Sequence, residues 1–293
     1  MKPARFAYVR AASVDDAIAL LGTHVGTHGD GARLLAGGQS LVATLNMRLS
    51  APDLLIDING IAGLSDIRLN GNTVEIGALA RHAQVERSEV VARHAPLIAQ
   101  AMPFIAHPAI RNRGTFGGSI ALADPAAELP ACVLALGGIL QIAGPDGRRS
   151  VAADDFFTGL FETALGPQDI LTGVHLPAAS PDRRYGFAEL ARRHGDYAIA
   201  GLAATARVQD GLWHDVRLAF FGVADRPLRA TAAERAMTGH LLDEQHIDAA
   251  VAALDLPFTS DVQADAATRR HLAGVLLRRV VSRMMESKAM DKM

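Results

Sequence analysis

The chain contains one cysteine, Cys132. No disulfide can form within it, and neither a four-cysteine zinc site nor an all-cysteine iron–sulfur cluster can be built from its side chains. Lysine is nearly as scarce: Lys2, Lys288 and Lys292, all near the ends, stand against 26 arginines. A P-loop lysine, a Schiff-base lysine or a Ser–Lys pair in the body of the chain is thereby excluded. Charge of one sign is missing too, since 29 basic and 31 acidic residues leave a net charge of −2. That balance gives no general attraction to nucleic acid or to an anionic membrane. The longest apolar run, residues 131–140, falls far short of the ~20 residues a spanning helix needs. Met1 to Arg10 shows no apolar signal-peptide core, and the expectation is a soluble cytoplasmic protein without a transmembrane segment.

What is present is enough for an ordinary folded interior: 293 residues, 49% apolar and 20% charged. At about 100–200 residues per domain this length predicts two domains. Ser13-Val14-Asp15-Asp16 opens a helix as a capping box, and Gly22 marks its stop. Residues 23–31 form a glycine-rich turn, in which His24 and His28 have the spacing of a helical metal pair; Gly26 between them favours a solvated loop, and no metal site is expected. Short apolar runs at 33–36, 54–58, 73–76, 137–142 and 170–176 read as strands, with helices at 40–48, 82–94 and 126–136. Alternation of this kind predicts an α/β domain over 1–177, split near 60 into two subdomains. The polar, proline-bearing segment 178–183 is the expected boundary. Beyond it, 185–192, 201–209 and 213–222 read as three antiparallel strands with a hairpin at Asp210-Gly211, and helices follow at 230–239, 245–253 and 264–285. This is an α+β domain over 178–293. In its last helix Leu272, Val275, Leu276, Val280 and Met284 make an apolar stripe, with Arg269, Arg270, Arg278, Arg279 and Arg283 mostly off it.

Two glycine pairs stand out, and each supports two readings, a structural turn or a loop that holds an anionic ligand. Gly37-Gly38 ends a strand and is followed by Gln39-Ser40 and a helix. Gly117-Gly118 follows Arg113-Gly114-Thr115-Phe116 and precedes Ser119. Residues without side chains let backbone N–H groups converge on an anion, and Ser40, Thr115 and Ser119 add hydroxyl donors. Without an internal lysine, a pyrophosphate would have to be held largely by such neutral donors. Neither turn has the G-x-G-x-x-G spacing, so a Rossmann site is not supported, and no G-x-S-x-G elbow exists. His107-Pro108 reads as a structural turn more readily than as a catalytic group. For Asp196-Tyr197 two readings stand side by side, a gate over a cofactor or a turn with a buried aromatic.

The motifs Leu35-Ala36-Gly37-Gly38-Gln39-Ser40-Leu41, His107 through Ser119, and Ala123-Asp124-Pro125-Ala126-Ala127-Glu128-Leu129-Pro130 occur in that order. Together with Leu55-Ile56-Asp57-Ile58-Asn59, Gly195-Asp196-Tyr197-Ala198 and the closing arginine-rich helix, they resemble the FAD-binding medium subunit of molybdenum hydroxylases, the carbon monoxide dehydrogenase and xanthine dehydrogenase family. The resemblance implies a two-part FAD-binding domain of the vanillyl-alcohol-oxidase (PCMH) type. It implies non-covalent FAD, with Leu35, Ala36, Gly37, Gly38, Gln39, Ser40 and Leu41 as the first pyrophosphate loop and Thr115, Gly117, Gly118 and Ser119 as the second. Asp124 and Glu128 correspond to acidic positions beside the flavin, and Leu171 to an apolar residue packed near its ring. It also implies two partners, a molybdopterin-binding large subunit and a small subunit with 2Fe–2S clusters; those cofactors belong to the partners. Electrons would pass from the clusters through FAD to an external acceptor, so no catalytic side chain is named. Two positions depart from the family: many relatives have histidine where this chain has Leu122, and lysine where it has Glu189.

Overall fold

The computed structural model describes residues 2–23 and 31–290, so the expectation for His24 and His28 lies outside the described residues. The first sheet is β1 (Ala7–Arg10), β2 (Ala32–Leu35) and β3 (Leu54–Asp57), with β3 central and both pairings parallel. Its Leu54 and Ile56 pack with Ala17 and Leu21 of α1 (Val14–Gly22), which covers the sheet. The Ser13 hydroxyl caps α1 by accepting from the Asp16 amide at 3.1 Å. The Asp16 carboxylate reaches back to the Ala12 amide at 2.8 Å rather than to that of Ser13, so the box closes one residue early. After β2 the chain turns into α2 (Leu41–Asn46).

The second sheet is antiparallel, in the order β4 (Ile67–Asn70), β5 (Thr73–Gly77), β10 (Ile170–Pro177), β6 (Ile139–Gly144), β7 (Gly147–Ala152). Small helices intervene: α3 (His82–Arg87), α4 (Glu89–His94), α5 (Pro96–Ala101), α6 (Pro108–Arg111), α7 (Phe116–Leu122), α8 (Glu128–Ala135) and α9 (Ala153–Phe156), with a hairpin of β8 (Phe157–Gly159) and β9 (Glu162–Thr163). The single helix expected over 82–94 is two. Ser88 is extended (φ −74°, ψ 120°); it ends α3 and caps α4 by accepting from the Val91 amide at 3.3 Å.

The C-terminal sheet is β11 (Arg183–Leu190), β12 (Ala200–Gln209), β13 (Leu212–Phe221) and β14 (Leu228–Arg229), all antiparallel. It has four strands where three were expected. β14 is only a two-residue strand on the edge, too short to show alternation. Asp210 and Gly211 both have positive φ (52° and 84°), the geometry of the tight hairpin their sequence announces. One face of this sheet, with Ala188, Leu202, Leu218 and Phe220, packs with α10 (Thr231–Met237), α11 (Glu244–Ala252) and α12 (Ala266–Met290). The other face, with Phe187, Ala203, Ala219 and Phe221, joins the core of the second sheet and its helices. α8 lies across β12 and β13 and receives two donors from them. The Thr205 hydroxyl reaches Ala135 O at 3.3 Å, and Arg217 reaches Leu134 O at 2.8 Å. The first satisfies a carbonyl that the end of the helix leaves without an intrahelical partner, and the second adds to the bond that Leu134 O accepts from Gly137 N at 3.1 Å.

The stripe on α12 is buried as expected at Leu276, Val280 and Met284. Arg269 is the exception among its arginines. It is buried, donating to Gly222 O and pairing with Asp261 at 2.6 Å. Among the described residues no helix is long and apolar enough to cross a membrane.

Candidate functional site

The first glycine turn is poised to receive an anion. β2 ends at Leu35, and Gly38 takes φ +73°, a conformation that glycine adopts without a side-chain penalty. The Ser40 hydroxyl caps nothing. The first helical bonds run from Val42 N to Gly38 O (3.0 Å) and from Thr44 N to Ser40 O (3.1 Å). Among the described residues, the N–H groups of Gly37, Gly38, Gln39, Ser40 and Leu41 donate to no protein group. Consecutive open donors at the start of a helix are the backbone's own anion site.

The second turn is built differently. The Thr115 side chain caps α7 by accepting from Gly118 N at 3.2 Å. Phe116 N and Gly117 N donate to Ala80 O and Ala78 O, each at 2.8 Å, and Ser119 N donates to Thr115 O at 3.1 Å. Every amide of this first turn is thus engaged. What the turn offers outward is the exposed, side-chain-free Gly118 and the half-buried Ser119 hydroxyl; Thr115 is buried. Gly117 is required because a β-carbon there would collide with Ala78, the residue that follows β5.

The two turns touch. A β-carbon on Gly37 would sit 2.5 Å from Arg113 O and 2.9 Å from Gly114 Cα. Two side chains hold them in that relation. Asn59 Nδ2 donates to Ala36 O (2.9 Å) and Leu35 O (3.2 Å), while its Oδ1 accepts from Arg81 at 2.6 Å. Arg81 also donates to Arg113 O. Beneath them His82 is buried, and its Nε2–H donates to Thr115 O at 3.0 Å. Burial pushes its pKa down to about 4, so the ring is neutral at physiological pH. The sequence reading missed Asn59 and Arg81 as organisers of the site. Asn59 sits at the end of a quoted motif, whereas Arg81 is one arginine among many.

The remaining expected residues lie on the elements that follow α7. Ala123 ends that helix in the left-handed conformation (φ 53°) and aims the next segment. Asp124 accepts from Ala126 N at 2.9 Å, and burial raises its pKa. Glu128 opens α8; it is buried, which pushes its carboxyl up to about 7, and the Asp124 charge adds to the rise. Leu171 on β10 is packed in the same core as Phe116 and Ile120 of α7. Leu122 is half-buried at the end of that helix. Gly195 places the loop carrying Tyr197 against His107, which thereby has a structural neighbour, and Tyr197 itself is exposed rather than buried.

A parallel strand–turn–helix with open amides, set against a second glycine turn and followed by a sheet-and-helix domain, defines a nucleotide-cofactor protein. Residues 4–179 match the family described as the FAD binding domain in molybdopterin dehydrogenase, and residues 185–284 match the CO dehydrogenase flavoprotein C-terminal domain. The chain belongs to this flavoprotein family. It is 38% identical over 283 residues to the nicotine 6-hydroxylase medium subunit of Paenarthrobacter nicotinovorans, covering 96% of this chain and 98% of the relative. It is 37% identical over 286 residues to the carbon monoxide dehydrogenase medium chain of Afipia carboxidovorans, covering 97% and 98%. In structure it is similar to carbon monoxide dehydrogenase from Hydrogenophaga pseudoflava (TM-score 0.93, 37% identity, 97% of this chain and 99% of that one). A comparable likeness holds for quinoline 2-oxidoreductase from Pseudomonas putida 86 (TM-score 0.90, 33% identity, 98% and 99%).

Proposed function

We propose that this chain is the FAD-carrying electron-transfer subunit of a cytoplasmic molybdenum hydroxylase complex, an oxidoreductase. Its partners in this reading are a molybdopterin-binding large subunit and a small subunit with 2Fe–2S clusters. The single observation that carries the proposal is the run of open amides at residues 37–41 facing the second glycine turn. Residues 35–41 hold the pyrophosphate of a non-covalently bound FAD, with the Ser119 hydroxyl as a further donor and Thr115, as the cap of α7, holding Gly118 in place. Asp124, Glu128 and Leu171 flank its ring. The first two sheets then form the two parts of a PCMH-type FAD domain over 1–177, and 178–293 form the second domain.

When bound, FAD supplies two-electron and one-electron chemistry, accepting charge from one partner and delivering it to another. The chain's own residues position it: Asn59 and Arg81 fix the distance between the two turns, and the neutral His82 holds Thr115 without adding charge. No side chain is required as acid or base for electron entry. Cys132, the one cysteine, is buried in α8, so the clusters that would feed the flavin must come from another chain.

The test is the visible spectrum of the purified chain, followed by flavin reduction with candidate substrates, first alone and then with both partners co-expressed. The expected result is bound FAD that dithionite reduces, with substrate-dependent reduction only in the complex. Rapid reduction by substrate in the lone chain would make it a stand-alone dehydrogenase. Absence of flavin under all conditions would favour a non-catalytic nucleotide-binding or assembly protein.

A further inference from the structure

Arg269 lies near the start of α12 and is 5% exposed, whereas Arg270, Arg278, Arg279 and Arg283 on the same helix are exposed. Its guanidinium reaches two separate segments. It donates to the carbonyl of Gly222, the residue that follows β13, and pairs with Asp261 at 2.6 Å. Asp261 is held independently of the arginine, by the amides of Gln263 (2.8 Å) and Ala264 (3.1 Å). The Arg269 Nε–H is buried without a partner. A buried ion pair with an unsatisfied donor contributes little stability compared with an apolar side chain of similar volume. Only the guanidinium, however, can hold two segments at once by directed bonds.

Gly222 is a junction. Its amide donates to Pro125 O at 2.7 Å, and at φ +70° it rests against the 195–198 loop, where a β-carbon would lie 2.7 Å from Ala198 O. Pro125 belongs to a tight turn, in which the Asp124 carboxylate accepts from Ala126 N at 2.9 Å and Asp124 O from Ala127 N at 3.0 Å. Whatever fixes Pro125 therefore fixes the Asp124 carboxylate and the entry to α8. Ala198 directly follows the exposed Tyr197. On their other side these segments border a cavity of about 260 Å³, lined by Pro125, Ala126, Ala198, Gly222 and Arg269 among others. Groups that face a cavity have no packing partners on that side, so the hydrogen bonds through Gly222 define where they sit.

We propose that Arg269 is a positioning residue for the flavin ring. From the last helix it fixes, through Gly222, two segments that wall the ring end of the cofactor site: the turn at 124–127 and the loop at 195–198. This rests on the reading that FAD lies with its ring beside Asp124. The pyrophosphate loop at 35–41 belongs to another part of the fold, where Asn59 and Arg81 tie it to the second glycine turn. The two ends of one cofactor are thus held by different struts, and Arg269 acts on the ring end.

Two measurements separate the strut from its effect on the cofactor. Hydrogen exchange in the full chain without flavin reads the strut. Arg269→Met keeps the apolar stem and removes both donors. It should speed exchange at the Gly222 amide and across 195–200 by about tenfold or more, the weight of one lost buried hydrogen bond, while β2 and β3 keep their rates. Unchanged exchange at Gly222 would overturn the proposal. Flavin fluorescence of the FAD-loaded chain reads the ring. Arg269→Met should bind FAD about tenfold more weakly and show lower flavin anisotropy. ADP, which has the pyrophosphate without the ring, should compete for the site with unchanged affinity. Gly222→Ala pushes on Ala198 O from the other side of the junction and should reproduce this split, whether or not Arg269→Met folds. Arg269→Lys, with one ammonium for two acceptors, should recover part of the loss. Equal losses for FAD and ADP would make Arg269 merely structural, and no loss for FAD would leave the ring untouched; either result overturns the proposal. A wild-type chain that binds no FAD would overturn the FAD reading and the ring role with it, and hydrogen exchange would still judge the strut.

Discussion

Gly37 rests directly on the carbonyl oxygen of Arg113, leaving a space that a β-carbon could enter only at 2.5 Å from that oxygen. A contact between residues so distant in sequence means that the two glycine turns are one object, assembled from the end of β2 and the junction of α6 with α7. The open amides at 37–41 and the exposed Gly118 edge are set with respect to each other before any ligand arrives, which lowers the ordering cost of binding.

Gly38→Val and Gly118→Val should each abolish FAD binding while the C-terminal domain stays folded. Valine at 38 must adopt φ +73°, which a branched residue resists. At 118 the new β-carbon would lie 2.6 Å from the Thr115 hydroxyl and displace the cap of α7. Flavin content by absorbance, with circular dichroism as the folding control, checks this; stoichiometric flavin in both variants would refute the placement.

Alanine at Thr115 and at Ser119 should have different signatures. Each should weaken FAD by roughly 0.5–1.5 kcal/mol, and the double variant by about tenfold or more. Only Thr115→Ala should also destabilise the cofactor-free protein, by about 0.5–2 kcal/mol, because its side chain is the N-cap. Denaturant unfolding with and without FAD separates the two effects.

Arg81→Ala should lower FAD affinity about tenfold or more, although Arg81 belongs to neither turn. It removes the bond to Arg113 O and leaves Asn59 Oδ1 unpaired, so the turns lose their fixed separation. Arg81→Lys should not restore the affinity, since one ammonium does not reproduce the guanidinium's bridging geometry. Titration calorimetry on the apoprotein reads both.

Glu189→Gln should stabilise the protein more at pH 9 than at pH 5. The folded carboxyl titrates near 8, above its unfolded value of 4.5. Its burial is therefore tolerated fully below 4.5 and loses stability progressively as pH rises through 8. The gain at pH 9 should be about 1–3 kcal/mol, the cost of an unsatisfied buried polar group. Melting temperatures of the two proteins should converge by pH 4; a gain independent of pH would contradict an ionising Glu189.

Limited proteolysis of the cofactor-free chain should cut first near 178–183, and the two fragments should remain together on gel filtration. The segment is polar, but the sheet beyond it contributes Phe187, Ala203, Ala219 and Phe221 to the core of the part before it. Thermal unfolding should accordingly show one transition. Earliest cuts within 200–280 would refute the division.

Much of this architecture was legible in the sequence. The strand–turn–helix at 33–48, the hairpin at Asp210-Gly211 and the α12 stripe follow from local patterns, and the ordered motifs pointed to the family. The elements that escaped include the hairpin partners β4 and β7, the short helices α5 to α7, and two edge strands. β1 is largely exposed and, among the described residues, pairs only with β3, and β14 is two residues long. In the candidate site the glycines and hydroxyls were visible because their local chemistry is unusual. The spending of the α7 amides on Ala78 and Ala80 was not visible, since it is made by a strand end far away in sequence. Nor does a sequence show that Arg269 is buried while Arg278 on the same helix is exposed.

β12 answers to two interiors at once. Ala203 faces one core and Leu202, Ala204 and Ala206 the other, each at 0% exposure. A strand lodged between two packed layers has no free side on which to absorb a larger residue. An extra methyl group on either face must push the strand toward the opposite layer, so a repair on one side becomes damage on the other. Engineering of this protein would therefore do better to vary α10 and α11, each of which answers to one side only, and to leave the alanines of β12 as they stand.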